Sequence, residues 1–224
     1  MPDTPARSTK AEQTRQSIID SAMRLFASAG YDGTTMRAIA EEAGVSVGNA
    51  YYYFSGKEQL IQAYYDQIQA VHAVAAEVPL AGQADFTERL RGVLLAWIDV
   101  AEPYHGFAGS FFKNAAEPSS PLSPFSDDST AAREAAIELH RRVLDGSDLK
   151  LAKTLRADLP ELLWLLQMGI VLFWVHDTST GQQRTRDLVE HCVPIIDRML
   201  RLTRVPGVRG VVDDVVGLIA MIRP

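Results

Sequence analysis

The residues best suited to chemistry lie together between Thr34 and Phe54, in the stretch TTMRAIAEEAGVSVGNAYYYF. Val47, Gly48 and Asn49 are all short. At the start of a helix, short side chains let the N-terminus approach base edges, and its dipole favours phosphate. An asparagine amide can bond both major-groove groups of adenine. Tyr51, Tyr52 and Tyr53 follow in a row. A helix turns about 100° per residue, so the three cannot share one face. At least one is expected to face outward, where tyrosine hydroxyls bond phosphate oxygens, and one to pack inward with Phe54. Thr35 and Arg37 open the preceding short helix and Lys57 opens the following one, each placed to meet backbone phosphate.

Catalytic signatures are absent. There is no HExxH, no G-x-S-x-G, no P-loop and no clustered set of metal-ligating side chains. Asp127-Asp128 and Asp213-Asp214 are carboxylate pairs, but neighbours on a helix diverge by about 100° and read as solvated faces and helix starts. The chain is expected not to be an enzyme and to need no cofactor or metal.

Two short helices flanking a tight corner must position these residues. Gly44 can adopt positive φ at the corner, Val45 is an apolar plug beneath it, and Ala40 is small where the helices approach. Ser46 can cap the second helix through its hydroxyl. This is the helix-turn-helix layout, which lays its second helix in the major groove of DNA. The competing reading is an ordinary helical hairpin with its aromatics in the core. The corner, the three tyrosines, Phe54 and a capping box at Ser55 and Glu58 together weigh against it.

Around this motif, helical spacing dominates. Ile18, Ala22, Leu25, Phe26 and Ala29 share a face, and Thr9 with Glu12 forms a capping box. The N-terminal pattern predicts helices at about 9–29, 35–43, 47–54 and 57–77. Further helices are expected at 85–101, 127–145, 160–176, 183–203 and 211–222, with a loop at Glu117 to Pro124 and a kink at Pro194. No convincing run of alternating strand residues appears. The reading is all-α, with residues 9–57 as a three-helix DNA-binding unit and residues 58–224 as a larger helical body.

Composition agrees. The 224 residues are 47% hydrophobic, enough to bury a core. One cysteine, Cys192, excludes an internal disulfide, and the start MPDTPARSTK has no apolar run of a signal peptide. The longest apolar stretch, Leu162 to Val175, is 14 residues, too short to span a bilayer. A cytoplasmic protein without a membrane partner is expected. The net charge of −6 counts at first against a nucleic-acid partner. Residues 1–57 hold six basic and six acidic residues, whereas residues 58–224 hold 16 basic and 22 acidic. The acidity belongs to the body and leaves the N-terminal unit as the face on which DNA can dock.

Residues 12–72 resemble the N-terminal domain of the TetR family of transcriptional regulators, with the motif itself at 35–54. The resemblance rests on Phe26-Ala27, Gly30-Tyr31, Thr34-Thr35, Ile39-Ala40, Ala43-Gly44-Val45-Ser46, Gly48, Tyr51-Tyr52-Tyr53-Phe54 and Lys57-Glu58-Gln59-Leu60. It implies a homodimer with two DNA-binding units and an all-helical ligand-binding and dimerisation domain. The implied DNA contacts are Thr35, Arg37, Ser46, Val47, Gly48, Asn49, Tyr51, Tyr52 and Lys57. The implied function is a repressor that binds a palindromic double-stranded operator and is released by a small-molecule effector. The alternative is a small-molecule-binding or catalytic all-α protein that uses the hairpin for protein contacts.

In the body the residues speak for themselves. Five of the 18 aromatics, Trp97, Tyr104, Phe107, Phe111 and Phe112, fall within 16 residues beside Pro103, Gly106 and Gly109. Such a segment can line a pocket for an apolar or aromatic effector or simply pack as core. Trp164, Met168, Leu172 and Phe173 could face the same space, with Asn114, Gln167, His105 and His176 as orienting polar groups. Leu162 to Val175 is apolar all round, so this helix and the one at 183–203 are expected to pack against their symmetry mates, Gly169 allowing close approach.

Overall fold

A computed structural model describes residues 9–117 and 120–203, with residues 107, 110, 111, 113 and 114 described as backbone only. The expected helix at 211–222 and the Asp213-Asp214 pair lie outside the described residues. Among those described, the secondary structure is helical throughout: α1 (Lys10–Gly33), α2 (Met36–Glu42), α3 (Val47–Tyr53), α4 (Lys57–Ala75), α5 (Glu77–Ala81), α6 (Phe86–Ala101), α7 (His105–Ala115), α8 (Thr130–Asp145), α9 (Lys153–Val175) and α10 (Gln183–Leu202). The chain divides into two compact units, Met1–Gln67 with Tyr104–Thr130, and Ile68–Pro103 with Ala131–Pro224. Helix α4 contributes residues to both.

In the first unit, α1 starts at a complete capping box. The Thr9 hydroxyl accepts from the Glu12 N–H at 3.2 Å, and the Glu12 carboxylate accepts from the Thr9 N–H at 2.6 Å. The apolar face of α1 buries Ile18, Ile19, Ala22, Met23 and Phe26. Its regular helix breaks at Gly30, whose φ of 77° suits glycine and turns the chain into Tyr31. Helix α1 packs against α2 and α7. Tyr64 of α4 meets Tyr104 edge-on at 4.9 Å, and the Tyr65 hydroxyl donates to the Leu122 carbonyl at 3.0 Å. The Ser55–Glu58 capping box does not form. The Ser55 N–H goes instead to the Gln59 side chain at 2.8 Å, because the Glu58 carboxylate is taken by the Tyr31 hydroxyl.

In the second unit, α6 buries Phe86, Leu90, Val93, Leu94 and Ile98 and packs on α5 and α10. Gly92 permits the α5 approach: a Cβ there would collide with the Pro79 side chain. Helix α5 and the early start of α9 are absent from the expectation for one reason. Pro79 and Pro160 read as helix boundaries, yet each stands inside a helix here. Pro194 likewise sits within α10. Before α10 stands buried Asp177. Its carboxylate accepts from the Ser179 N–H and hydroxyl at 2.9 and 2.6 Å and from the Thr185 N–H and hydroxyl at 2.8 and 2.7 Å, anchoring the start of α10. Burial pushes its pKa up, but these four hydrogen bonds outweigh it and hold the carboxyl down at about 2.

Candidate nucleic-acid interface

The corner between α2 and α3 forms as its residue types demand. Gly44 takes φ 69°. The Val45 N–H bonds the Ala40 carbonyl at 2.9 Å, closing the turn. Ala40 of α2 and Ala50 of α3 are both fully buried, so the two helices pack backbone to backbone there. A larger side chain at either position would push them apart. The Thr35 hydroxyl caps α2 by accepting from the Ala38 N–H at 3.2 Å, and Ser46 caps α3 by accepting from the Asn49 N–H at 3.1 Å. Both hydroxyls therefore hold a helix start as well as standing exposed.

Helix α3 buries only Ala50. Its other residues are exposed or half-exposed. Gly48 is exposed, and Val47 and Asn49 are half-exposed. Tyr52 is 82% exposed and Tyr51 52%. Tyr53 is half-buried and meets Tyr52 edge-on at 5.3 Å. No tyrosine of the three packs fully inward; Phe54 does, with the Arg15 guanidinium 5.1 Å from its ring centre. Tyr51 and Tyr52 thus stand in solvent on the same short helix whose N-terminus Ser46 caps. Arg37 is exposed as expected.

Lys57 has a second task that its sequence position did not reveal. Its ammonium donates to the Tyr31 carbonyl at 2.7 Å and lies 4.2 Å from the Tyr31 ring centre, while the Tyr31 hydroxyl donates to Glu58 at 2.9 Å. Burial first, then the Glu58 carboxylate, pushes the Tyr31 phenol well above its ordinary range. The cluster ties the end of α1 to the start of α4. An ammonium has three donors, so Lys57 retains capacity for phosphate. The pairing signal was present in the Gly30-Tyr31 and Lys57-Glu58 dipeptides, but nothing in their spacing showed that they meet.

The body residues separate. Tyr104 belongs to the first unit, against Tyr64. The side chains of Phe107, Phe111 and Asn114 lie outside the description. Trp97, Trp164, Gln167, Met168 and Phe173 belong to the second unit. Trp97 meets Trp174 edge-on at 5.2 Å. Trp164 packs with Ala136, Ile137 and Met168 on the seam between α8 and α9. Gln167 is buried and bonds His140 at 2.8 Å. Phe173 is 43% exposed and shares an outward face with Leu165 and Leu172. Sequence reasoning favoured His105 and His176 and missed His72 and His140, both fully buried. His140 stands at helical spacing from Ala136, Ile137, Val143 and Leu144, which was the available signal.

Two family models match the chain. One, described as bacterial regulatory proteins of the tetR family, matches residues 18–64. The other, a tetracyclin repressor-like C-terminal domain, matches residues 89–218. The chain belongs to the TetR family. The HTH-type transcriptional regulator SrpR of Pseudomonas putida is 45% identical over 54 residues, covering 24% of this chain and 25% of SrpR. TtgR, another HTH-type transcriptional regulator of Pseudomonas putida, is 43% identical over 63 residues, covering 28% of this chain and 30% of TtgR. The chain thus spans under a third of these relatives' length. A TetR transcriptional regulator from Nitrosomonas europaea shares the fold at a TM-score of 0.62 and 18% identity, over 82% of this chain and 97% of that one. Members of the TetR family are transcriptional regulators with a helix-turn-helix DNA-binding unit, and such regulators are not enzymes. Helix α9 is long and apolar enough to cross a bilayer by length and composition alone. Its buried residues, including Gln167 hydrogen-bonded to His140, suit the core helix of a TetR body instead.

Proposed function

We propose that this TetR-family chain is a cytoplasmic, ligand-responsive repressor. It binds a palindromic operator as a homodimer and is released by a small, largely apolar or aromatic effector. The observation that carries the DNA half of the reading is the surface of α3: a Ser46-capped N-terminus, short side chains through Asn49, and Tyr51 and Tyr52 standing in solvent. In this reading Val47, Gly48 and Asn49 approach base edges. Thr35, Arg37, Ser46, Tyr51, Tyr52 and Lys57 hold phosphates and set the register.

Dimerisation is supported by two exposed apolar stripes on adjacent helices of the second unit. Leu165, Leu172 and Phe173 lie on α9; Ile195, Met199 and Leu202 lie on α10 at i, i+4 and i+7. Large apolar side chains so arranged suit a second copy of the chain, α9 and α10 forming a four-helix contact. Half-sites about 34–36 Å apart, or a multiple, must meet both α3 helices at once. An effector in the body that alters their spacing by a few Å spoils this docking, and α4, whose residues belong to both units, transmits the change.

The experiment is selection of genomic fragments by the purified protein, followed by sequencing. The reading expects a palindrome with half-sites one helical turn or a multiple apart. Recovery of fragments without a shared palindrome contradicts it.

A further inference from the structure

In the second unit, α4 runs into α5 almost without a break. The Ala76 N–H at the join bonds the His72 carbonyl at 2.9 Å, and the Leu80 N–H bonds the Ala76 carbonyl at 3.1 Å, both in the helical pattern. Across the join one helical face carries Ala70, Val71, Val74, Val78 and Ala81, and all five are exposed. Val74 is 73% exposed and Val78 81%. Glu77, at the edge of this face, is turned to Arg142 at 2.8 Å. An unbroken apolar face of this kind in water marks a docking surface.

The chain itself delivers an occupant to this place. In the last turn of α10, Arg201 bonds both Asp148 carboxylate oxygens at 3.1 Å. The Asp148 N–H donates to the Ala84 carbonyl at 2.6 Å, and its carboxylate accepts from the Phe86 N–H at 3.3 Å. Ala84 lies just past the end of α5, so the chain leaves α10 beside one end of the apolar face. Residues 204–224 follow. Extended, Arg204 to Gly210 span up to about 25 Å. The face from Ala70 to Ala81 is about 17 Å long, so residue 211 can reach any part of it.

The segment at 211–222 matches this face in pattern and length. Its charged residues are Asp213 and Asp214. On a helix, Val211, Val215, Leu218, Ile219 and Ile222 share one side, opposite Asp213 and Ala220. Such a helix is about 18 Å long. Its large side chains suit a partner whose own are alanine and valine, because small residues let two helix axes come close. The α10 stripe, with Ile195, Met199 and Leu202, offers large side chains instead and suits the second copy. We propose that residues 211–222 dock as a helix on the face of α4 and α5 formed by Ala70, Val71, Val74, Val78 and Ala81 of the same chain. This docking is independent of what the chain binds.

Thiol labelling of the full chain tests it. Val74→Cys is placed in a Cys192→Ser background, so that the introduced thiol stands alone. A covered thiol reacts only through local opening. Labelling should be about tenfold or more slower than in the urea-unfolded chain. Leu218→Asp, on the docking side of the segment, should restore fast labelling with the helical content of the rest retained. Ala220→Asp, on the opposite side, should not. Val78→Cys gives the same readout if Val74→Cys fails to fold. Labelling at the unfolded rate in the parent overturns the proposal. Slow labelling that Leu218→Asp leaves unchanged assigns the face to another occupant and also overturns it. To separate same-chain docking from exchange between copies, the Val74→Cys chain is mixed in urea with a tenfold excess of Leu218→Asp chains lacking cysteine and refolded. Protection should persist; its loss assigns the segment to the second copy and overturns the proposal.

Discussion

Arg89 makes the most quantitative prediction. Its guanidinium is 5% exposed and has no carboxylate partner among the described residues. It donates to four carbonyls: Leu80 and Gln83 at the end of α5, and Arg142 and Val143 in the last turn of α8, the latter two at 2.7 and 3.0 Å. The carbonyls at a helix end are the ones that lack intrahelical donors, so one side chain caps two helices. Burial lowers the guanidinium pKa, as does Arg142, yet an arginine stays charged at every accessible pH. Gln83 and Arg142 are partly exposed and can take water if the side chain is lost. Leu80 and Val143 face the interior and cannot. Counting only these two, at the lower figure for bonds to a charged donor, Arg89→Met costs about 3 kcal/mol. Urea unfolding followed by circular dichroism, at fixed protein concentration and pH 7, measures it. Gly146 supplies the control. A Cβ there would collide with the Arg89 Nη2, so Gly146→Ala must displace the guanidinium. It should destabilise the wild type and cost almost nothing in the Arg89→Met background. A loss below about 1 kcal/mol for Arg89→Met, or simple additivity of the two substitutions, refutes the capping argument.

Further consequences follow from other sites. Asp177 stays ionised down to about pH 2, so its stabilising effect is complete above its ordinary pKa of 3.8 and disappears as the pH falls through 2. Asp177→Asn should cost about 2 kcal/mol at pH 7 by urea unfolding, and unchanged stability would show that the four bonds do not favour the carboxylate. His140 has a folded pKa of about 4 against an ordinary 6.5, so the unfolded chain binds the extra proton between those values. Stability is full above pH 6.5 and declines toward pH 4 by up to about 1.4 kcal/mol per pH unit, a slope that His140→Gln should reduce. Met199, 63% exposed on α10, lies at the centre of the proposed dimer stripe. Met199→Glu should convert dimer to monomer by light scattering with helical content unchanged, and a persistent dimer would place the interface elsewhere.

The parts of this molecule legible in its sequence are those fixed by near neighbours. Thr9 and Glu12, Ser46 and Asn49, and the Gly44 corner each depend on residues three or four apart, and each forms as read. The failures are contacts made across long separations. Glu58 seemed free to cap its own helix, but Tyr31, 27 residues earlier, takes its carboxylate. His140 reads as an isolated histidine until Gln167, 27 residues later, meets it. Prolines misled in a systematic way. Pro79 and Pro160 signal boundaries locally, and packing of α5 and α9 overrides that signal. The exposure of Tyr51 and Tyr52 follows from helix geometry together with the burial of Ala50, which only the fold of α2 against α3 reveals.

The central claim is that α3 reads DNA. The most direct test is fluorescence anisotropy of a selected operator fragment titrated with wild type and Tyr52→Ala at fixed salt. Tyr52 is 82% exposed, so its removal should leave the melting temperature and the oligomeric mass unchanged. The account predicts at least a tenfold loss of operator affinity; unchanged affinity in a folded protein of the same mass would contradict it.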